Sequence, residues 1–186
     1  MLWKKSISIH PKENTMKISV FFLITLFVTF ASAKTVKEFY PDGTIKSAIT
    51  YKDGKKNGAD HAYYPDGATL KHAYSYVYGR LHGLQQEYSK NALLTQEENY
   101  RHGRLDGRSR YYQNGLLVSE ADYKNGMLDG DYSEFFPSGM IKVKIFWRRG
   151  KAMEGYKYTE DGARTSLSAD TLKLLNADKK STSPTK

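Results

Sequence analysis

Along residues 34–162 the apolar positions come in short bursts, and a turn signal closes each one. Two such signals alternate. The first is two strand residues, two turn residues and glycine, as in Phe39-Tyr40-Pro41-Asp42-Gly43 and Tyr63-Tyr64-Pro65-Asp66-Gly67. It recurs as Tyr88-Ser89-Lys90-Asn91-Ala92, Tyr111-Tyr112-Gln113-Asn114-Gly115, Phe135-Phe136-Pro137-Ser138-Gly139 and Tyr158-Thr159-Glu160-Asp161-Gly162. The second is aromatic-x-x-Gly-x-x-x-Gly. It reads Tyr51, Gly54, Gly58; Tyr76, Gly79, Gly83; Tyr100, Gly103, Gly107; and Tyr123, Gly126, Gly130. A last copy, Trp147, Gly150, Gly155, is one residue longer. The glycine position of the first motif advances by 24, 25, 23, 24 and 23 residues.

Each motif reverses the chain for a physical reason. Proline presets φ near −65°, aspartate bonds its own backbone, and glycine takes positive φ, which together make a type I turn with a bulge. The paired glycines permit a second tight reversal or a close backbone approach. Between the turns lie strand-like runs. Met140-Ile141-Lys142-Val143-Lys144-Ile145 alternates apolar and polar over most of its length, the period of a half-buried strand. Two reversals per repeat predict an all-β fold: an elongated single-layer antiparallel meander of β-hairpin repeats with about 11–12 strands. At ~4.8 Å per strand the array would extend roughly 50–60 Å.

The aromatic-x-x-Gly-x-x-x-Gly unit, with variants such as Gly79-Arg80-Leu81-His82-Gly83, resembles the membrane occupation and recognition nexus (MORN) repeat. Its alternation with Tyr-Tyr-Pro-Asp-Gly is similar to the bacterial variant found in the YwqK-type putative antitoxin family. The resemblance covers about residues 38–162. It implies a β-hairpin repeat fold and a role in protein contacts, scaffolding or membrane attachment.

The ends read differently from the array. Residues 18–30 carry no charge and are followed by Ala31-Ser32-Ala33. A short apolar run before an A-x-A site is the pattern of a secretory signal peptide. The reading is a signal helix within residues 1–33, with Met16 as the true start and cleavage after Ala33. The array is expected over 34–165 and a capping helix over 166–177. There Ser168 is the N-cap, Asp170 lies in the first turn, and Leu167 and Leu172 form the staple. Leu172, Leu174 and Leu175 are expected to cover the open edge strand. Residues 178–186 read as a disordered basic tail.

Composition agrees. Tyrosine numbers 15, glycine 15 and cysteine none, which excludes a disulfide framework, thiolate metal sites and a cysteine nucleophile. Net charge is +9 over the chain. Only about +3 falls within residues 34–162, with both signs interspersed along the sequence. No basic stripe stands out in that order, so nucleic acid is not an expected partner.

Candidate chemistry is sparse. The first aromatic of the turn motif (Phe39, Tyr63, Tyr88, Tyr111, Phe135, Tyr158) is read as a packing ladder. The second set would face the other side, and Tyr40, Tyr64, Tyr112 and Phe136 are the candidate partner-binding face, for a peptide or a glycan chain. The competing reading makes them packing residues. His61, His72, His82 and His102 lack metal-ligand spacing. Asp42, Asp53, Asp66, Asp106, Asp129 and Asp161 fit turn chemistry rather than catalysis. No catalytic residue, cofactor or metal is expected.

The chain thus reads as an exported, non-enzymatic scaffold, periplasmic or secreted, that contacts a protein or an envelope component. The runner-up is an antitoxin-like protein binding its partner through the sheet. A third reading is weak membrane-surface contact aided by the basic tail.

Overall fold

The structure is a computed structural model and describes residues 32–177. The segment expected to be a signal peptide, apart from Ser32 and Ala33, and the expected tail from 178 onward lie outside the described residues. Strands β1 (Lys34–Phe39), β2 (Ile45–Lys52), β3 (Lys55–Tyr63), β4 (Leu70–Val77) and β6 (Gly83–Tyr88) follow one another across a single open antiparallel sheet. The same path continues through β7 (Leu94–Arg101), β9 (Gly107–Gln113), β10 (Leu116–Lys124), β11 (Met127–Phe135), β12 (Ile141–Arg148), β13 (Lys151–Tyr158) and β14 (Arg164–Ser166). Two short strands, β5 (Arg80–Leu81) and β8 (Arg104–Leu105), pair with β4 and β7 off that path. They bring the total to 14 strands where 11–12 were expected. The difference arises at His82 and Asp106, just before Gly83 and Gly107, where a hairpin arm breaks into two pieces.

The paired-glycine motif makes two-residue hairpins. Asp53 and Gly54 have φ of 51° and 71°, and Asn125 and Gly126 have 51° and 83°. Lys52 pairs Lys55 and Lys124 pairs Met127 across these turns. Positive φ at both central residues matches the right-handed twist of the flanking strands. Successive turns are also joined to each other. Gly79 N–H donates to the Lys56 carbonyl at 2.7 Å, Gly103 to Leu81 at 2.8 Å, Gly126 to Leu105 at 2.7 Å and Gly150 to Leu128 at 2.7 Å.

At the opposite ends of the strands the Pro-Asp-Gly loops close as expected. Tyr40 N–H donates to the Thr44 carbonyl at 2.8 Å, and Gly43 N–H to the Tyr40 carbonyl at 2.9 Å. The Asp42 carboxylate accepts from Thr44 N–H and its hydroxyl at 2.9 and 2.7 Å. The fourth repeat departs from this. Asn114 and Gly115 have φ of 51° and 80°, and Gln113 pairs Leu116 directly, so this loop has two residues rather than three.

The second glycine of each hairpin sits in a bulge. Gly130 has φ of +129°, and a Cβ there would lie 2.8 Å from the Asp122 Cβ. The last copy differs. Trp147 pairs Ala152, Phe146 pairs Glu154 and Ile145 pairs Gly155, so the bulge is one residue shorter and Gly155 lies in the ladder. Gly155 is therefore not a fifth bulge glycine. Its missing side chain admits Leu167, whose Cδ1 would be 2.6 Å from a Cβ.

Most of the sheet has no second layer, so its buried positions are small or polar: Ser47, Asp60, Gln85, Ser109, Ala121 and Ser133. The Gln85 side chain serves as a missing rung beside β4. Its Oε1 accepts from Ser75 N–H at 2.8 Å, and its Nε2 donates to the Gly83 carbonyl at 2.9 Å. Among the described residues a true apolar core exists only at the C-terminal end. Ile145, Trp147 and Ala152 pack there against Leu128, Tyr132, Val143, Leu167, Leu172 and Leu175.

Helix α1 (Ala169–Ala177) closes that end. Ser168 Oγ accepts from Thr171 N–H at 3.2 Å, the N-cap bond expected, and Asp170 occupies the first turn. Asn176 completes the cover. Its Oδ1 accepts from Ala152 N–H at 2.7 Å and its Nδ2 donates to the Ala152 carbonyl at 3.2 Å. Leu174 does not join Leu172 and Leu175; it is 65% exposed, because at 3.6 residues per turn it faces away from both. No helix among the described residues is long and apolar enough to cross a membrane.

Candidate interaction surfaces

Side chains alternate across the sheet, so the register fixes two faces. On one face, tyrosines lie beside carboxylates. Glu98 accepts from Tyr100 at 2.9 Å and from Tyr111 at 2.6 Å. Tyr132 donates to Glu134 at 2.8 Å, and Tyr74 donates to Glu87. Burial, and then the adjoining carboxylate, pushes the Tyr100 phenol up to about 12. The same causes hold Tyr74, Tyr111 and Tyr132 well above the usual phenol range. On this face Lys56 and His72 also flank buried Asp60, at 2.5 and 3.3 Å. These groups bind one another, and Tyr74, Glu87, Glu98 and Tyr100 line one small recess.

The other face carries a charge ladder. Arg110 lies between Glu97 at 3.6 Å and Glu120 at 3.3 Å, and Arg108 forks onto Asp122 at 2.8 and 3.0 Å. The Arg108 guanidinium holds the Asp122 carboxyl below its ordinary value.

The four candidate residues do not form one row. The Tyr40 and Tyr64 hydroxyls donate to the Tyr63 and Tyr88 carbonyls, each at 2.8 Å, so each bridges to the next repeat. Tyr112 lies on the charge-ladder face, two residues from Arg110, and its hydroxyl donates to Glu97 at 3.3 Å. The two-residue loop at Asn114-Gly115 accounts for this. It makes Tyr112, not Tyr111, the partner in register of Phe39, Tyr63, Tyr88, Phe135 and Tyr158. Counting five residues on from the bulge glycine would have found it: Gly58 to Tyr63, Gly83 to Tyr88, Gly107 to Tyr112 and Gly130 to Phe135.

Phe136 stands apart. With Phe135, Pro137, Leu116, Leu117 and Val118 it lines an open recess between two loops. Leu116 is 52% exposed and Val118 38%, and exposed Met140 and Leu93 adjoin them. Sequence reasoning missed this patch, because its members come from successive repeats.

The turn aspartates act locally. Hydrogen bonds from Thr44, Thr69 and Thr159 lower Asp42, Asp66 and Asp161 respectively. The His82 and His102 rings sit 5.4 Å apart in neighbouring turns. Among the described residues no group of three or more His, Cys, Asp or Glu side chains could hold a metal ion.

The family described as MORN repeat variant matches at residues 34–53, 105–125 and 128–148. Each match falls on a stretch where strands meet at one of the glycine turns or loops above. The chain is a MORN-repeat protein. No curated protein matches this MORN-repeat chain. Among solved structures it is similar to a chain of accessory secretory protein 1,2 and 3 from Streptococcus pneumoniae, at 11% identity and a TM-score of 0.22. That match covers 81% of this chain and 25% of the other. The glycosylation-associated protein (Gap123) complex from Streptococcus agalactiae matches at 12% identity and a TM-score of 0.19, over 80% of this chain and 24% of that one. The MORN-repeat chain thus spans about a quarter of the length of these chains.

Proposed function

We propose that this MORN-repeat protein is an exported, non-enzymatic scaffold that holds a protein partner in the apolar recess beside Phe136. The recess carries the reading. Leu93, Leu116, Val118 and Met140 are all exposed there, next to the half-buried rings of Phe135 and Phe136. A contiguous apolar patch rimmed by polar groups is the usual mark of a protein contact. Export is supported by the uncharged run 18–30 and the Ala31-Ser32-Ala33 site after it. The test is affinity capture from an envelope extract with the full chain and with Leu116→Glu/Val118→Glu. Both side chains are solvent-facing, so the thermal midpoint should stay within a few degrees while partner capture is lost. Equal capture by the double variant would remove the recess from the account.

The YwqK-like Tyr-Tyr-Pro-Asp-Gly pattern favours a second reading, an antitoxin-like protein that neutralises a partner in the cytosol. Cell fractionation separates the two: a processed envelope product supports export, and an uncleaved cytosolic one supports the second reading.

A further inference from the structure

Folding sorts charge that looks mixed along the sequence. The five two-residue hairpins lie at one end of the strands, and each covers four positions. Lys52 and Lys55 flank the first, Arg80 closes the second, and Arg101 and Arg104 flank the third. Lys124 opens the fourth, and three of the four positions in the fifth are Arg148, Arg149 and Lys151. All nine are exposed, and the carboxylate of Asp53 is the one acid among these twenty positions. The loops at the other end carry Asp42, Asp66, Glu160 and Asp161 against Lys90 alone.

The cations stand in line. The Lys55 Cβ lies 3.8 Å from where a Cβ on Gly79 would be, that of Arg80 3.6 Å from Gly103, and that of Arg104 3.9 Å from Gly126. Each of these three residues therefore rests against the bare glycine of the next turn, and at the fourth junction Met127 takes that place against Gly150. The bonds from Gly79, Gly103, Gly126 and Gly150 to the preceding repeat hold that alignment. Successive turns advance by two strands, about 10 Å. Of the nine cations only Arg101 has an ion-pair partner among the described residues, Asp106 at 3.0 Å.

We propose that this rim is a binding site for an extended phosphate polymer running across the strand ends from turn to turn. Guanidinium and ammonium groups at the tips would meet about one phosphate per turn, the arginines bidentately. Between the last two turns the rim is a recess walled by Lys124, Arg148 and Arg149, with the single carboxylate of Asp129 also on its lining. That recess admits a chain and gives a flat headgroup plane little to rest on. Exposed large apolar side chains on the rim are Tyr78 and Met127, too few for insertion into a bilayer.

The test uses the full chain and fluorescein-labelled polyphosphate of graded length. A single-stranded oligothymidylate and vesicles of neutral lipid with and without an anionic phospholipid are the other arms. We expect affinity to rise with polymer length until the five turns are spanned. It should fall about a hundredfold between 50 and 200 mM salt, as release of about five counterions requires. Arg80→Ser/Arg104→Ser/Arg148→Ser/Arg149→Ser should weaken binding at least tenfold, while Arg108→Ser/Arg110→Ser on the sheet face should change it less than twofold. If the quadruple variant fails to show the parent's circular dichroism, Arg104→Glu and Arg149→Glu are measured singly, each expected to weaken binding severalfold. Binding of polyphosphate alone would assign inorganic polymer, and equal binding of the oligonucleotide would assign the phosphate backbone generally. Equal losses in the rim and face variants, or binding of anionic vesicles but no polymer, would overturn the proposal.

Discussion

Ala92 has φ of +57° at a position where the other five turn-motif copies carry glycine. A side chain in this region costs roughly 1–2 kcal/mol. Ala92→Gly is therefore expected to stabilise the protein by about 1 kcal/mol in urea titration, since the added freedom of the unfolded chain offsets part of the gain. Gly130 and Gly139 supply the converse pair. Both have positive φ, but a Cβ on Gly139 meets nothing within 4 Å while one on Gly130 overlaps Asp122. Gly130→Ala should lose more stability than Gly139→Ala in the same titration. Equal losses would show that the backbone angle alone requires glycine at the bulge.

The tyrosine rows set a pH limit on the strands they join. Their phenols titrate higher folded than unfolded, Tyr100 near 12 against an ordinary 10.0. Between those values the folded state binds more protons, so stability falls as pH rises through that window and is complete below about 10. Tyrosinate absorbance should appear together with loss of β signal as pH climbs from 10 to 12, and Tyr100→Phe should shift that transition. At the C-terminal edge, Asn176→Ala would strip two hydrogen bonds from the Ala152 backbone. About 1–2 kcal/mol of local protection should vanish there, visible as faster amide exchange in β13.

The element scale also shows how far the sequence was legible. Glycine spacing gave the hairpins and their order, and the Leu167–Leu172 capping pattern gave the N-cap at Ser168. It failed at Tyr111 and Tyr112 because one Asn-Gly loop is a residue shorter than the Pro-Asp-Gly loops. That shortening reverses which side of the sheet the next tyrosine faces. It failed again at Gly155, where a shorter bulge left the glycine in the ladder.

Across the whole array, each repeat contacts mainly its neighbours, so stability should approximate a sum of local terms. Neither surface with a proposed role was legible along the chain. The recess at Phe136 and the basic rim assemble from residues some 20–25 positions apart, and only the stacking of turns brings them together. That stacking is the central claim. Hydrogen exchange tests it at four amides, Gly79, Gly103, Gly126 and Gly150, each bonded to the preceding repeat. These turn amides should exchange as slowly as those in the middle of β10 and β11, whereas Gly54, which precedes every other such turn, should exchange quickly. Rapid exchange at all five glycines would mean that neighbouring turns are not joined, and the line of cations and the shared recess would go with them.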